Sequence, residues 1–269
     1  MKSIRIMAPV VLLLVGSLAA PSAAEESARV SAFCGGKAVT LYGTPGNDVI
    51  HGTGNADVIH GFGGNDRIKG FGGDDTICGG DGDDLIWGGS GVDFIYGEAG
   101  HDSIEGGSGG DLLSGGPGND VFDPGTGTGG TVEGGKGHDY VWILDAGDND
   151  IFGGSGRDTV SFSSAPVRMR VDLSTGHYDS WAPGALIGSL IFEVEVVIGS
   201  VYNDILIGDG NRNWLYGYKG GDVLKGRGGD DFLFGETGAD TLLGGGGYDV
   251  LNGGSGVDDC DGEVEKSCP

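Results

Sequence analysis

The chain has 269 residues, 15 of them basic and 40 acidic, for a formal net charge of −25 at pH 7. That balance makes nucleic acid and anionic membrane surfaces poor partners. Glycine fills 61 positions, and each interior glycine costs a helix about 1 kcal/mol relative to alanine, so long helices are excluded as well.

Residues 1–24 read as a secretory signal peptide. Lys2 and Arg5 precede an apolar run around Val10, Leu12 and Val15, and the small residues Ser22, Ala23 and Ala24 follow. The run falls short of the roughly 20 residues a spanning helix needs. No later segment is long and apolar enough, so no membrane span is expected. Export implies an oxidising compartment with abundant calcium, and the expected localisation is secreted. Residues 25–42 form a lead-in expected to cap the N-terminal end.

Residues 43–123 carry a repeat. Asp recurs every nine residues at Asp48, Asp57, Asp66, Asp75, Asp84, Asp93, Asp102, Asp111 and Asp120. Five residues before each stands glycine, from Gly43 to Gly115. Two residues before stands glycine again: Gly46, Gly64, Gly73, Gly82, Gly91, Gly100, Gly109 and Gly118. Asn55 takes that place once, and asparagine is the other residue that tolerates positive φ. Two residues after each Asp comes an apolar side chain, from Ile50 and Ile59 to Leu113 and Phe122.

Residues 124–162 continue the pattern in degenerate form. The spacing stretches to 19 from Asp120 to Asp139 and again to Asp158, with Gly130 and Asn149 in the intervening Asp positions. Residues 163–198 interrupt the repeat, although Arg168 to Leu173 and Glu193 to Ile198 alternate or run apolar like strands. A second array occupies 199–259, through Asp204, Asn213, Asp222, Asp231, Asp240, Asp249 and Asp258. Its turn glycines include Gly220, Gly229, Gly238 and Gly247, and its apolar partners run from Leu206 to Leu251. Cys260 takes the last apolar slot, and residues 260–269 read as a C-terminal cap.

Gly79 to Trp87 and Gly88 to Tyr96 are full copies of G-G-x-G-x-D-x-U-x, and on this motif the chain resembles the RTX (haemolysin-type) calcium-binding proteins. The resemblance implies an all-β fold, a parallel β-roll or β-solenoid interrupted by one irregular segment. Two nonapeptides close one coil, so residues 18 apart stack. It also implies multiple Ca2+ ions as cofactor, held between stacked turns by the Asp carboxylates named above and by carbonyl oxygens of the turn glycines. Calcium takes six to eight such hard oxygens. Same-side Asp pairs 18 apart give on the order of twelve ions. One buried apolar side chain per nine ordered residues is too little to fold the chain unaided, so ion binding is expected to supply folding free energy.

Four cysteines allow three pairings. Cys260 with Cys268 would close the C-terminal cap, with Val264 covering the last leucine layer. Cys34 with Cys78 would tie the lead-in across the first coils. Free thiols are disfavoured after export. Catalytic signals are thin. Gly106 to Gly110 fits a nucleophile elbow but lies in phase with the calcium turns. Gly125 to Gly130 contains G-x-G-x-x-G with no helix after it. His51, His60, His101, His138 and His177 lack zinc spacing and read as solvated surface side chains.

The reading is a secreted calcium-binding protein that folds on binding, without catalytic activity of its own. Calcium is its partner, and a structural, adhesive or matrix-associated role at a cell surface is expected. The alternative is a secreted enzyme or effector with an active site around 163–198. A disordered glycine-rich linker is opposed by the strict phase of the apolar residues.

Overall fold

Each nonapeptide joins a glycine-rich turn, which cannot continue a helix, to a short segment with one apolar residue flanked by outward-facing neighbours. A single such segment buries almost nothing, so it is stable only when stacked on copies of itself. The computed structural model describes residues 32–127, 129–144, 148–180, 188–262, 264–266 and 268. Residues 1–24, expected from sequence to be a signal peptide, lie outside the described residues. Among those described there is no helix, and the roll comprises a 12-stranded and a 14-stranded sheet.

Almost every pairing in the two sheets is parallel. Ile50 pairs with Ile68 and Ile68 with Ile86 in one sheet. Ile59 pairs with Ile77 and Ile77 with Ile95 in the other. The register of 18 means that consecutive strands alternate between sheets, giving a parallel β-solenoid of about 12 turns. The inward residue of each strand meets its counterpart from the other sheet. Ile59, Ile68, Ile77, Ile95, Leu113 and Phe122 are fully buried, as are Leu206, Leu215, Leu224, Leu233, Leu242 and Leu251. The degenerate region stays in the stack, with Val132, Val141, Ile151 and Val160 as its inward residues.

The interruption is a substitution within one sheet. In the 12-stranded sheet Thr159–Ser161 is followed directly by Val196–Ile198, which passes the stack on to Trp214–Tyr216. In the 14-stranded sheet the corresponding single strand is replaced by Met169–Asp172, His177–Ser180 and Ser189–Phe192. The middle strand runs antiparallel to both neighbours. The outer two therefore remain parallel to the roll strands they join, Ile151↔Ile191 on one side and Val171↔Leu206 on the other. This meander has a thicker core of Phe162, Ala165, Met169, Val171, Tyr178 and Val194. Tyr178 donates its hydroxyl to the Asn149 carbonyl at 2.6 Å.

At the ends the cysteine pairs are those expected, while the packing around them differs. Phe33–Cys34 and Lys37–Ala38 pair antiparallel. Cys34 and Cys78 stand at disulfide distance, with Cα atoms 5.8 Å apart. Cys78 is an outward-facing position, so this hairpin straps the outer face of the 14-stranded sheet beside Thr76 and Tyr96 rather than plugging the end of the roll. Cys260 and Cys268 also stand at disulfide distance, Cα atoms 6.1 Å apart. Val264 falls opposite Val250, a flanking position, and Glu265 falls opposite Leu251. The backbone of Gly262, rather than Val264, closes against Leu251, since any Cβ there would meet the leucine methyls.

Candidate functional site

Stacking at 18 residues brings the repeat aspartates into two columns along the roll. One column runs Asp48, Asp66, Asp84, Asp102, Asp120, Asp139 and Asp158. It is carried across the interruption by Glu195 and then reaches Asn213, Asp231 and Asp249. The other runs Asp57, Asp75, Asp93, Asp111, Gly130 and Asn149, and after the meander Asp204, Asp222, Asp240 and Asp258. Both Gly130 and Asn149 occupy the Asp positions read from the 19-residue spacing. Glu195 was not singled out from sequence. Its signal is the same one used for aspartate, an acidic residue two positions before an inward apolar one, here Val197.

Within each column the backbone N–H of one Asp donates to Oδ1 of the Asp in the next coil, as in Asp66 to Asp84 at 2.8 Å and Asp75 to Asp93 at 2.9 Å. Glu195 reproduces this contact, its Oε2 accepting from the Asp158 N–H at 2.8 Å. The second oxygen, Oδ2, faces the inside of its own turn. For Asp66, Asp75, Asp84, Asp93, Asp102, Asp111, Asp120, Asp139, Asp158, Asp222, Asp231 and Asp240 it is buried and accepts no hydrogen bond. Asp258 Oδ2 is likewise buried and unpartnered at the last coil.

Each of the first twelve shares its space with a main-chain carbonyl of the following coil. Around Asp66 that carbonyl belongs to Gly79, and the two oxygens meet over Gly61, where a Cβ would collide with both. Glycine five residues before the Asp is therefore required by close approach of oxygens, not by backbone conformation. At the Asp158 turn the Glu193 carbonyl takes the glycine's place. The glycines two residues before the Asp serve the conformation instead: Gly64, Gly73, Gly82, Gly91, Gly100, Gly109, Gly220, Gly229, Gly238 and Gly247 all have positive φ. Gly46, Asn55 and Gly118 do not, so the positive φ expected of Asn55 is not found.

A buried oxygen with no donor is costly, and a buried anion more so. Burial holds the carboxyls well above the usual range, against the opposing effect of the backbone N–H bond and reinforced by neighbouring carboxylates. Asp66 and Asp102 lie at about 7 and Asp222 at about 8. Asp75, Asp84, Asp111, Asp120 and Asp231 lie at about 6. Paired anionic and carbonyl oxygens at one buried point form a hard-cation cradle. Among the described residues no three acidic, His or Cys side chains gather into a metal cage by themselves. Main-chain oxygen therefore has to be part of any cation site in these turns.

The turns of Asp48, Asp57, Asp204 and Asn213 keep the carbonyl of the following coil but supply a donor to the side-chain oxygen. Thr44 and Thr53 each donate both N–H and hydroxyl to the Oδ2 of Asp48 and Asp57, at 2.5–2.9 Å. Ser200 donates its N–H to Asp204 Oδ2 and its hydroxyl to Oδ1, which also accepts the Met169 N–H. The Asp209 N–H donates to Asn213 Oδ1 at 2.8 Å.

A further ladder runs one residue before the Asp and was not read from sequence. Asn47, Asn65, Asp83, His101, Asn119 and His138 each accept a main-chain N–H from the coil that follows. His101 and His138 thus serve as structural acceptors as well as surface side chains. Beside the meander, a cavity of about 270 Å3 is lined by Glu193, Glu195 and Asp209, but Glu195 is already engaged with Asp158.

Residues 42–77, 69–104, 99–130, 124–160, 198–233 and 234–264 match the family model described as RTX calcium-binding nonapeptide repeat (4 copies). No curated protein matches the chain.

Proposed function

The chain belongs to the family of RTX calcium-binding nonapeptide repeats, and from that premise we propose that it is an exported calcium-binding roll whose arrays fold when the ions bind. The observation that carries the reading is the series of twelve buried, unpartnered Asp Oδ2 atoms, each facing a carbonyl of the next coil. In this reading those carboxylates and carbonyls hold the ions, and calcium supplies positive charge where the chain itself has no donor. The residues do the rest: the N–H ladder fixes Oδ1, and the glycine at the turn leaves room for an ion. The total of about twelve cradles equals the number expected from sequence, but through a different set of turns. Asp139 and Asp158, expected as ligands from sequence, belong to it, whereas Asp48, Asp57 and Asp204, also expected as ligands, are left out of this reading.

Export is supported by the leader-like residues 1–24 and by cysteine pairs at bonding distance, which we read as disulfides. The role that fits a rod-like binding fold is structural, adhesive or matrix-associated. Calorimetric calcium titration of the mature chain, followed in parallel by circular dichroism, tests the reading. Multiple bound ions and a gain of strand signal are expected. Absence of binding, or a strand signal unaltered by chelator, would overturn it.

A further inference from the structure

We propose that the opening coil of each array is metal-independent, a foundation on which the calcium-dependent coils are laid. This rests on the calcium-binding reading above. Among the described residues there are two such coils, one with the turns of Asp48 and Asp57 and one with the turns of Asp204 and Asn213.

Three observations separate these turns from the rest. The side-chain oxygen that faces the turn (Oδ2 of Asp48, Asp57 and Asp204, Oδ1 of Asn213) already accepts from a residue four positions upstream, Thr44, Thr53, Ser200 and Asp209. In the calcium-type turns the residue at that same position has positive φ, whether glycine (Gly80, Gly89, Gly107) or not (Phe62, Phe71, Tyr218, Arg227), and no donor reaches Oδ2. In the four opening turns it has ordinary φ, and its N–H points into the space an ion would otherwise share. Finally, Asn213 is neutral. Its turn therefore brings no anionic oxygen to a cation, and its amide oxygen is already engaged by the Asp209 N–H.

The two opening coils lie in different arrays, on opposite sides of the meander, and follow the same rule independently. Their function follows from the ladder. The N–H groups of Asp48, Asp57, Asp204 and Asn213 donate to Oδ1 of Asp66, Asp75, Asp222 and Asp231. Each opening coil therefore presents preset donors that orient the first carboxylates of its own array. The second array has its own start and need not inherit one through the meander.

The test is the bound-ion count and calcium midpoint of the full mature chain. Asp48→Asn with Asp57→Asn is expected to leave both unchanged, whereas Asp84→Asn loses bound calcium and raises the midpoint. Asn213→Asp, which adds a charge to the second opening coil, is expected to add no ion. Loss of ions in the double variant comparable to Asp84→Asn, or an ion gained by Asn213→Asp, would overturn the inference. The added charge also provides a readout if the double variant fails to fold. A wild-type chain that binds no calcium would instead defeat the calcium-binding reading itself, so the two failures are distinguishable.

Discussion

The first array and the antiparallel meander solve the same problem by different means. In the array each strand contributes one inward side chain, and the turn leaves a buried carboxylate oxygen without a donor. In the meander Phe162, Met169, Val171, Tyr178 and Ile191 form a contiguous apolar cluster, and its buried polar groups find partners within the protein. Tyr178 bonds the Asn149 carbonyl. Asp172 accepts from Ser174 and meets both Arg170 and Arg227. The difference lies in what completes each region: in the proposed reading calcium supplies the missing partner of the thin core, whereas the thicker core closes on its own polar groups.

The sharpest way to break that comparison is to remove calcium. In chelator, amides of the array strands such as Arg67–Gly72 and Leu85–Ser90 are expected to lose protection from hydrogen exchange. Those of Met169–Asp172 and His177–Ser180 should retain more. Equal loss in both regions would mean that the meander has no stability of its own.

Acid provides the next largest effect. Without metal, burial holds Asp75 at about 6, Asp66 at about 7 and Asp222 at about 8, above the unfolded value near 4. The folded array then binds protons more readily than the unfolded chain, so its metal-free stability falls as pH rises from about 4 through 8. In chelator, array protection should return as pH is lowered from 8 towards 5. With calcium present, the same change should raise the midpoint of the titration, because proton and ion compete for one oxygen. A midpoint that does not move between pH 8 and 6 would show that these oxygens are not the ligands.

A single methyl probes the cradle more locally. Gly61→Ala would press Cβ onto Asp66 Oδ2 and the Gly79 carbonyl, at an expected cost of about 1–3 kcal/mol. Gly46→Ala meets only Thr44 Oγ1, 3.9 Å away, and should stay within about 0.5 kcal/mol. Thermal melts in calcium read both, and similar losses would refute the close approach of oxygens over Gly61.

The smallest effect tests the meander. Asp172→Ala leaves the half-exposed Arg170 and Arg227 without their shared carboxylate. It should lower stability by about 1 kcal/mol while the number of bound ions stays the same. A lost ion would place Asp172 among the ligands.

Most of the roll was legible because its cause is local and periodic. A nine-residue recurrence of glycine, Asp and one apolar residue specifies turn, strand and inward face together, and the family resemblance supplied the 18-residue coil. Gly130 and Asn149 could be placed by spacing alone. Glu195 escaped because its turn lacks the glycines that announce the others. The acceptor column through Asn47, His101 and His138 escaped because Asn, Asp and His look unrelated until they are stacked. The strands His177–Ser180 and Ser189–Phe192 escaped because their pairing is with each other and with the flanking coils, which no short-range pattern encodes.

By itself, then, the sequence determined the repeat unit, its inward residues and the acidic column that calcium chemistry calls for. Which carboxylates are left without donors was decided only in three dimensions. Asp48 and Asp84 stand in nearly the same local motif, yet Thr44 turns its N–H onto the first while Gly80, at positive φ, does not reach the second. The physical reason is that hydrogen-bond satisfaction depends on the direction of one backbone amide, and that direction differs between a residue at ordinary φ and one at positive φ.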